Sequence, residues 1–237
     1  MNEFRPPEKM SPSAPRESAP RAPRRRRLPT EARQEILQAA ERVFAKSHAD
    51  AVGLKEIAEE AGVSHALVTH YFGTFGGLVD AVLEQRVVAL RERMLARMAE
   101  PSALSRPGEL LTMLFDSLEE PVYKRLWMWV LATERSAAAD FFPLRQKGLR
   151  QVAEQLATAI AEATGAPAVA LVPEVERMLL IAVSTAYGYT VGKPALVGAL
   201  GKTPSREVDR ALQESLGEMI REHLFRFAAR VQGAGSQ

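Results

Sequence analysis

Apolar side chains recur along most of this chain at three- and four-residue intervals, the spacing that gathers them on one face of an α-helix. Ile36, Leu37, Ala40, Val43 and Phe44 form the first such stripe, with Thr30 as its expected N-cap. Leu54, Ile57, Ala58 and Ala61 form a second, and Gly62 supplies the left-handed residue that ends it. Ser64 can N-cap a third short helix through Tyr71. Gly73, Gly76 and Gly77 mark a break. A long helix is expected from about Gly77 to Ala99, with Leu78, Val79, Val82, Leu83, Leu90 and Met94 inward. Further helices are expected near 108–119, 121–135, 140–164, 173–192 and 204–231. Their breaks are Pro107-Gly108, Pro121, Asp140, Gly165-Ala166-Pro167, Pro194 and Pro204. No segment alternates with period two and β-branched richness. The expected fold class is all-α, without internal repeats.

Residues 1–29 depart from this pattern. They hold seven of the fifteen prolines and few large apolar groups, too little to offset the entropy of ordering, so a disordered arm is expected. No continuous apolar run marks it as a secretory signal. Met178–Gly192 is uncharged over fifteen residues, short of the roughly 20 a membrane span needs, and it contains Ser184, Thr185 and Thr190. An interface helix is the expectation there, not a membrane segment.

Charge sharpens the division. The formal net charge of +2 conceals an arm of net +5, a segment 30–75 of net −3 and a neutral remainder. The arm ends in Arg24-Arg25-Arg26-Arg27, either a solvated tail or a nucleic-acid arm. The chain has no cysteine, which excludes disulfides, thiol catalysis and Cys-ligated metals. It also fits a reducing cytoplasm, the expected location.

The most informative stretch is Leu54–Leu78, where two short helices flank the turn Ala61-Gly62-Val63-Ser64. That is a helix-turn-helix, whose second helix enters the major groove of DNA. On the motifs Glu35-Ile36-Leu37…Ala40…Val43-Phe44, Ile57-Ala58-Glu59-Glu60-Ala61-Gly62-Val63-Ser64, His70-Tyr71-Phe72-Gly73 and Leu78-Val79, the chain resembles the TetR family of bacterial transcriptional regulators. The resemblance covers about 50 residues. It implies a DNA-binding domain at 30–76, a helical effector-binding and dimerisation domain at 77–231, and a flexible tail at 232–237. The sequence departs from the family in three places. Val52-Gly53 replaces a small hydroxyl cap, Thr69 replaces an aromatic phosphate contact, and Phe75 replaces a lysine.

Residues 61–75 carry no Asp, Glu, Lys or Arg. The expected reading surface is Ser64, His65, Ala66, Leu67, Thr69, His70 and Tyr71. His65 can donate to guanine, and Ala66 or Leu67 can pack on a thymine methyl. Thr69, His70 and Tyr71 can donate to phosphates, while Phe72 belongs to the core. With the module acidic, Arg24, Arg25, Arg26 and Arg27 are expected to supply much of the affinity, with Arg33, Arg42, Lys46 and Lys55 secondary.

The second half is rich in large soft side chains that serve either a packed core or a ligand pocket. Phe115, Trp127, Phe142 and Tyr187 are the pocket candidates; Trp127 and Trp129, about 200° apart on a helix, cannot share a side. Ser184, Gly188 and Gly192 recur every four residues and would let helices approach closely. Leu216, Ile220, Leu224 and Phe227 line one face of the last helix, for dimerisation or for packing within the chain. The expected protein is a repressor that binds a near-palindromic operator in double-stranded DNA as a homodimer and is released by a small, largely apolar effector. No cofactor, metal or membrane partner is expected. Neither is catalysis, because the chain has no Gly-rich phosphate loop, no Gly-x-Ser-x-Gly and no His-Glu-x-x-His. A helical adaptor that binds no DNA is the rival reading.

Overall fold

A computed structural model describes residues 29–100, 107–141 and 147–234. Arg24–Arg27 and Phe142 lie outside the described residues. The architecture is all-α, with no strand among the described residues. Three helices make the N-terminal unit: α1 (Pro29–Lys46), α2 (Leu54–Ala61) and α3 (His65–Phe72). Six follow: α4 (Phe75–Met98), α5 (Pro107–Glu119), α6 (Pro121–Ala132), α7 (Gly148–Thr164), α8 (Ala168–Ala199) and α9 (Arg206–Ala234).

The first stripe closes the N-terminal core. Ile36, Leu37, Phe44, Ile57 and Val68 are fully or almost fully buried, together with Leu78 and Val79 from α4. The turn between α2 and α3 follows from Gly62, whose φ of 65° is left-handed. Its N–H donates to the Glu59 carbonyl at 3.1 Å, and the Val63 N–H to that of Ala58 at 3.0 Å, which satisfies the last carbonyls of α2. Ser64 then caps α3 by accepting from the Leu67 N–H at 3.2 Å. Gly53 caps α2 without a side chain, its N–H donating instead to the Glu56 carboxylate at 2.9 Å.

Several boundaries differ from the sequence reading. Helix α1 begins at Pro29, so Thr30 lies inside it and is not the cap; proline's fixed φ suits a first turn. Helix α4 begins at Phe75, capped by Thr74. Helix α7 begins at Gly148 and not at 140. There Asp140 is held by Arg135 at 3.0 Å and Phe141 is buried beside Trp127, contacts that favour a turn. Helix α8 runs through both Pro173 and Pro194. Each proline removes one helical bond, but flanking Leu171, Val175 and Val197 are buried, and their packing outweighs that loss. Helix α9 reaches Ala234, so residues 232–234 are helical and not tail. Among the described residues no single helix is long and apolar enough to cross a membrane.

Two apolar clusters hold the molecule. The larger joins the N-terminal unit to α4, α5, α6 and part of α8. The smaller, around Ala157, Ile160, Val175 and Leu224, joins α7, α8 and α9.

Gly77 fixes the exit from α3, because a Cβ there would stand 2.2 Å from the Phe72 carbonyl oxygen. Gly77→Ala should therefore cost about 1–3 kcal/mol in denaturant unfolding. Gly76→Ala, whose Cβ would meet the Arg135 side chain at 3.4 Å and the Thr74 hydroxyl at 3.8 Å, should leave stability unchanged or slightly raised.

Candidate nucleic-acid interface and effector cavity

Helix α3 presents two sides. Val68 and Phe72 are buried and bolt it to the core. Ser64, His65, Ala66, Thr69 and His70 are exposed, and Leu67 and Tyr71 are half-buried beside them. The structure therefore brings all seven predicted reading residues to one short helix and its cap. Not all are equally free. The Thr69 hydroxyl donates to the His65 carbonyl at 3.1 Å, so its proton is used inside the helix, contrary to the expected phosphate donor. His70 meets Tyr71 edge-on at 5.4 Å.

The nearby cations are partly occupied. Arg33 lies over the Phe72 ring, 5.4 Å from its centroid, which keeps it beside α3. Arg42 is held by Glu60 at 2.6 Å, and this hydrogen bond draws the Glu60 pKa below its ordinary value. Lys55 is 3.9 Å from Glu59, and both are well exposed. Such surface pairs are worth little and yield readily to a phosphate.

Phe75 explains one departure from the family pattern. Its ring sits edge-on between Phe44 of α1, at 6.0 Å, and Trp129 of α6, at 5.4 Å. Arg125 of α6 reinforces this join by donating to the carbonyls of Phe44 at 2.9 Å and Ala45 at 2.7 Å. These are orphan carbonyls at the end of α1, where a cation is favoured. Arg135, just past α6, donates to Asp80 at 2.7 Å and to Asp140. Asp80 is buried in α4, and its other oxygen has no partner in the structure. These bonds, Asp80 first, raise the Arg135 pKa above its ordinary value. Sequence reasoning missed this junction. The available signal was Asp80 itself, a charge inside the apolar run Leu78–Leu83.

Between the two apolar clusters lies a cavity of about 540 Å³, walled by all six helices from α4 to α9. Leucine and methionine dominate, with Trp127 and Tyr187 in the wall. Trp127 and Tyr187 rings are 4.6 Å apart, and the Tyr187 hydroxyl hydrogen-bonds that of Tyr123 at 2.5 Å. Burial pushes both tyrosine ionisations up, so both hydroxyls stay neutral. Phe115 is not in this wall, contrary to expectation. It is buried against Tyr189, 6.0 Å away edge-on, because α5 turns Leu111, Leu114 and Leu118 to the cavity instead.

The predicted dimer residues separate into two groups. Ser184 and Gly188 are exposed and Gly192 half-buried on the outer side of α8, near exposed Leu180 and Ile181. By contrast, Leu216 and Leu224 are buried within the chain, and Ile220 and Phe227 pack against its clusters. Ile220 and Leu224 also line the cavity. This corrects the expectation for α9, whose apolar face serves intrachain packing. Its exposed apolar side chain is Met219.

Breaking the Arg135–Asp80 pair strands a buried carboxylate. Arg135→Met should therefore lower unfolding stability by about 3 kcal/mol, and adding Asp80→Asn should recover part of the loss in denaturant titrations.

Residues 36–82 match the family model of bacterial regulatory proteins, tetR family. A comparison with curated proteins found no match. Among solved structures, a tetR-family transcriptional regulator from Streptomyces coelicolor is similar at a TM-score of 0.57 and 20% identity, covering 86% of this chain and 89% of the other. The TetR family repressor AlkX from Dietzia sp. is similar at 0.53 and 19%, covering 82% and 95%. A regulator from Mesorhizobium loti is similar at 0.53 and 18%, covering 84% and 96%. Residues 36–82 thus form an N-terminal domain of the tetR family of bacterial regulatory proteins, and the chain takes the fold of solved regulators of that family.

Proposed function

We propose that the protein is a transcriptional repressor that binds a near-palindromic operator as a homodimer and leaves it when a small, largely apolar ligand fills the cavity. The observation that carries this reading is α3. A short, firmly anchored helix exposes Ser64, His65, Ala66, Thr69 and His70 together and offers no charge to distinguish one phosphate from another. That surface suits base-edge contacts, with His65 and Ala66 nearest the helix start. Arg33 and Lys55 are assigned to backbone contact.

Affinity needs cations that α3 lacks. Arg24–Arg27 directly precede α1 in the chain and are assigned to the phosphates or the adjacent minor groove.

The dimer reading rests on α8. Leu180 is 61% exposed, Ile181 and Leu196 are also exposed, and the small residues Ser184 and Gly188 stand between them. Met219 of α9 is 66% exposed. An exposed apolar face of this kind favours a partner, and a second copy would set two α3 helices against successive major grooves.

Release follows from α6, which reaches the cavity with Trp127 and the DNA-binding unit with Trp129 and Arg125. A ligand that prefers one position of α6 shifts the spacing of the two α3 helices. The Dietzia neighbour is described as a repressor implicated in n-alkane biodegradation, which supports repression and an apolar ligand by analogy of fold alone.

Selection from a random DNA pool should enrich a palindrome with half-sites about 34–36 Å apart, or a multiple of that. A pool that enriches nothing contradicts the reading and favours the adaptor. Deleting residues 1–27 should flatten the slope of log affinity against log salt by about three to four for each subunit of the dimer. An unchanged slope removes the arm from the interface. Gly188→Arg should sediment as a monomer and lose operator binding while keeping its helical circular dichroism.

A further inference from the structure

The cavity assigned above to the effector is one-sided in charge. Its ionisable lining consists of Arg91, Lys147, Arg150, Arg221 and the tyrosines Tyr123 and Tyr187. Among the described residues no Asp or Glu lines it, and neither does any Asn, Gln, Ser or Thr. We infer that its ligand is an anionic amphiphile, with an apolar body among the leucines and methionines and one carboxylate-like head met by the arginines. This rests on the reading of the cavity as the effector site.

The body follows from the walls. A volume of about 540 Å³ falls within the usual range of small-molecule pockets, and the side chains that fill the walls are apolar over most of their extent. A ligand polar throughout would lose its water there without replacement partners.

The head follows from the cations and from their different states. Arg150 is already engaged by Glu154 at 2.9 Å. Arg91 is half-buried and lies against the first residue of α7, where a Cβ on Gly148 would come within 3.4 Å of its Nη1. The guanidinium thus lies in contact range of the α7 backbone at the cavity wall. Arg221 enters from α9, a third helix. Arg221, Arg150 and Lys147 are exposed and stand at the rim; cations on separate helices with no lining carboxylate repel a cationic ligand and favour an anion. A planar guanidinium also matches a carboxylate in two hydrogen bonds.

The tyrosines agree with this choice. One hydroxyl proton is spent on the Tyr123–Tyr187 bond, and the other remains available to donate. Because burial keeps both hydroxyls neutral, the pair supplies no counter-charge for an ammonium group.

The test is calorimetric titration of the full chain with decanoate, decanol and decyltrimethylammonium, three heads on one tail length. Decanoate should bind about tenfold more tightly than decanol, with decyltrimethylammonium weakest. The variant Arg91→Gln/Arg221→Gln should bring decanoate down to the level of decanol. Decanol binding should not change, which shows that the cavity is intact. Added salt should weaken decanoate and spare decanol, because the head lies at a solvated rim. The inference is overturned if decanol or the ammonium binds as well as decanoate, or if the double variant keeps the preference for decanoate. In those cases the cavity stands as a binding site and only the anion is lost. Failure of all three probes to bind overturns both the anion and the cavity reading.

Discussion

Helix α6 must face two ways at once, and the rest of the molecule depends on that constraint. Trp127 and Trp129 are two residues apart, so the helix turns one ring away from the other by about 200°. One ring joins Tyr187 in the cavity wall, and the other closes on Phe75 at the start of α4. On that second side Arg125 takes the last carbonyls of α1, and just beyond the helix Arg135 takes Asp80. A shift of α6 therefore acts on the end of α1 and the start of α4 together. Close-packed interiors move between discrete arrangements and do not deform smoothly. In the proposed function, a rearrangement at Trp127 reaches the helix-turn-helix as a change of position.

The electrostatic design separates reading from holding. Helix α3 carries no Asp, Glu, Lys or Arg, and its segment is net −3. Arg42 and Lys55 have acidic neighbours in Glu60 and Glu59. A surface of this kind has little attraction for DNA in general, so in the proposed function its contacts serve to discriminate among bases more than to add affinity. The densest positive charge in the sequence is the arginine run Arg24–Arg27, which precedes α1. Cations also line the cavity enclosed by α4 to α9.

Much of this was legible in the sequence because its signals are local. The Ile36–Phe44 stripe, the left-handed Gly62 and the Ser64 cap each need only a few neighbouring residues, and each appears as read. The opposed tryptophans follow from helical geometry alone. What the sequence concealed depends on partners far along the chain. Leu216 and Leu224 form an apolar face that looks the same whether it meets α5 and α8 or a second subunit. Phe115 is as large and soft as Trp127, but only the rotation of α5 decides which lines the cavity. Pro194 reads as a break locally, and the buried residues on both sides of it carry the helix through. Phe75 read only as the absence of the family's lysine, and its contacts with Phe44 and Trp129 could not be seen from the sequence.

Coupling through α6 is the central claim, and operator affinity with and without decanoate tests it most directly. The comparison is between the native chain and the variant Arg125→Met/Trp129→Ala, which cuts the grip of α6 on the DNA-binding unit but leaves Trp127 in place. Decanoate should weaken operator binding of the native chain by about tenfold, within the usual range of allosteric coupling. The variant should bind decanoate as the native chain does while its operator affinity no longer responds. An equal loss in both proteins would contradict the account, because the signal would then bypass α6.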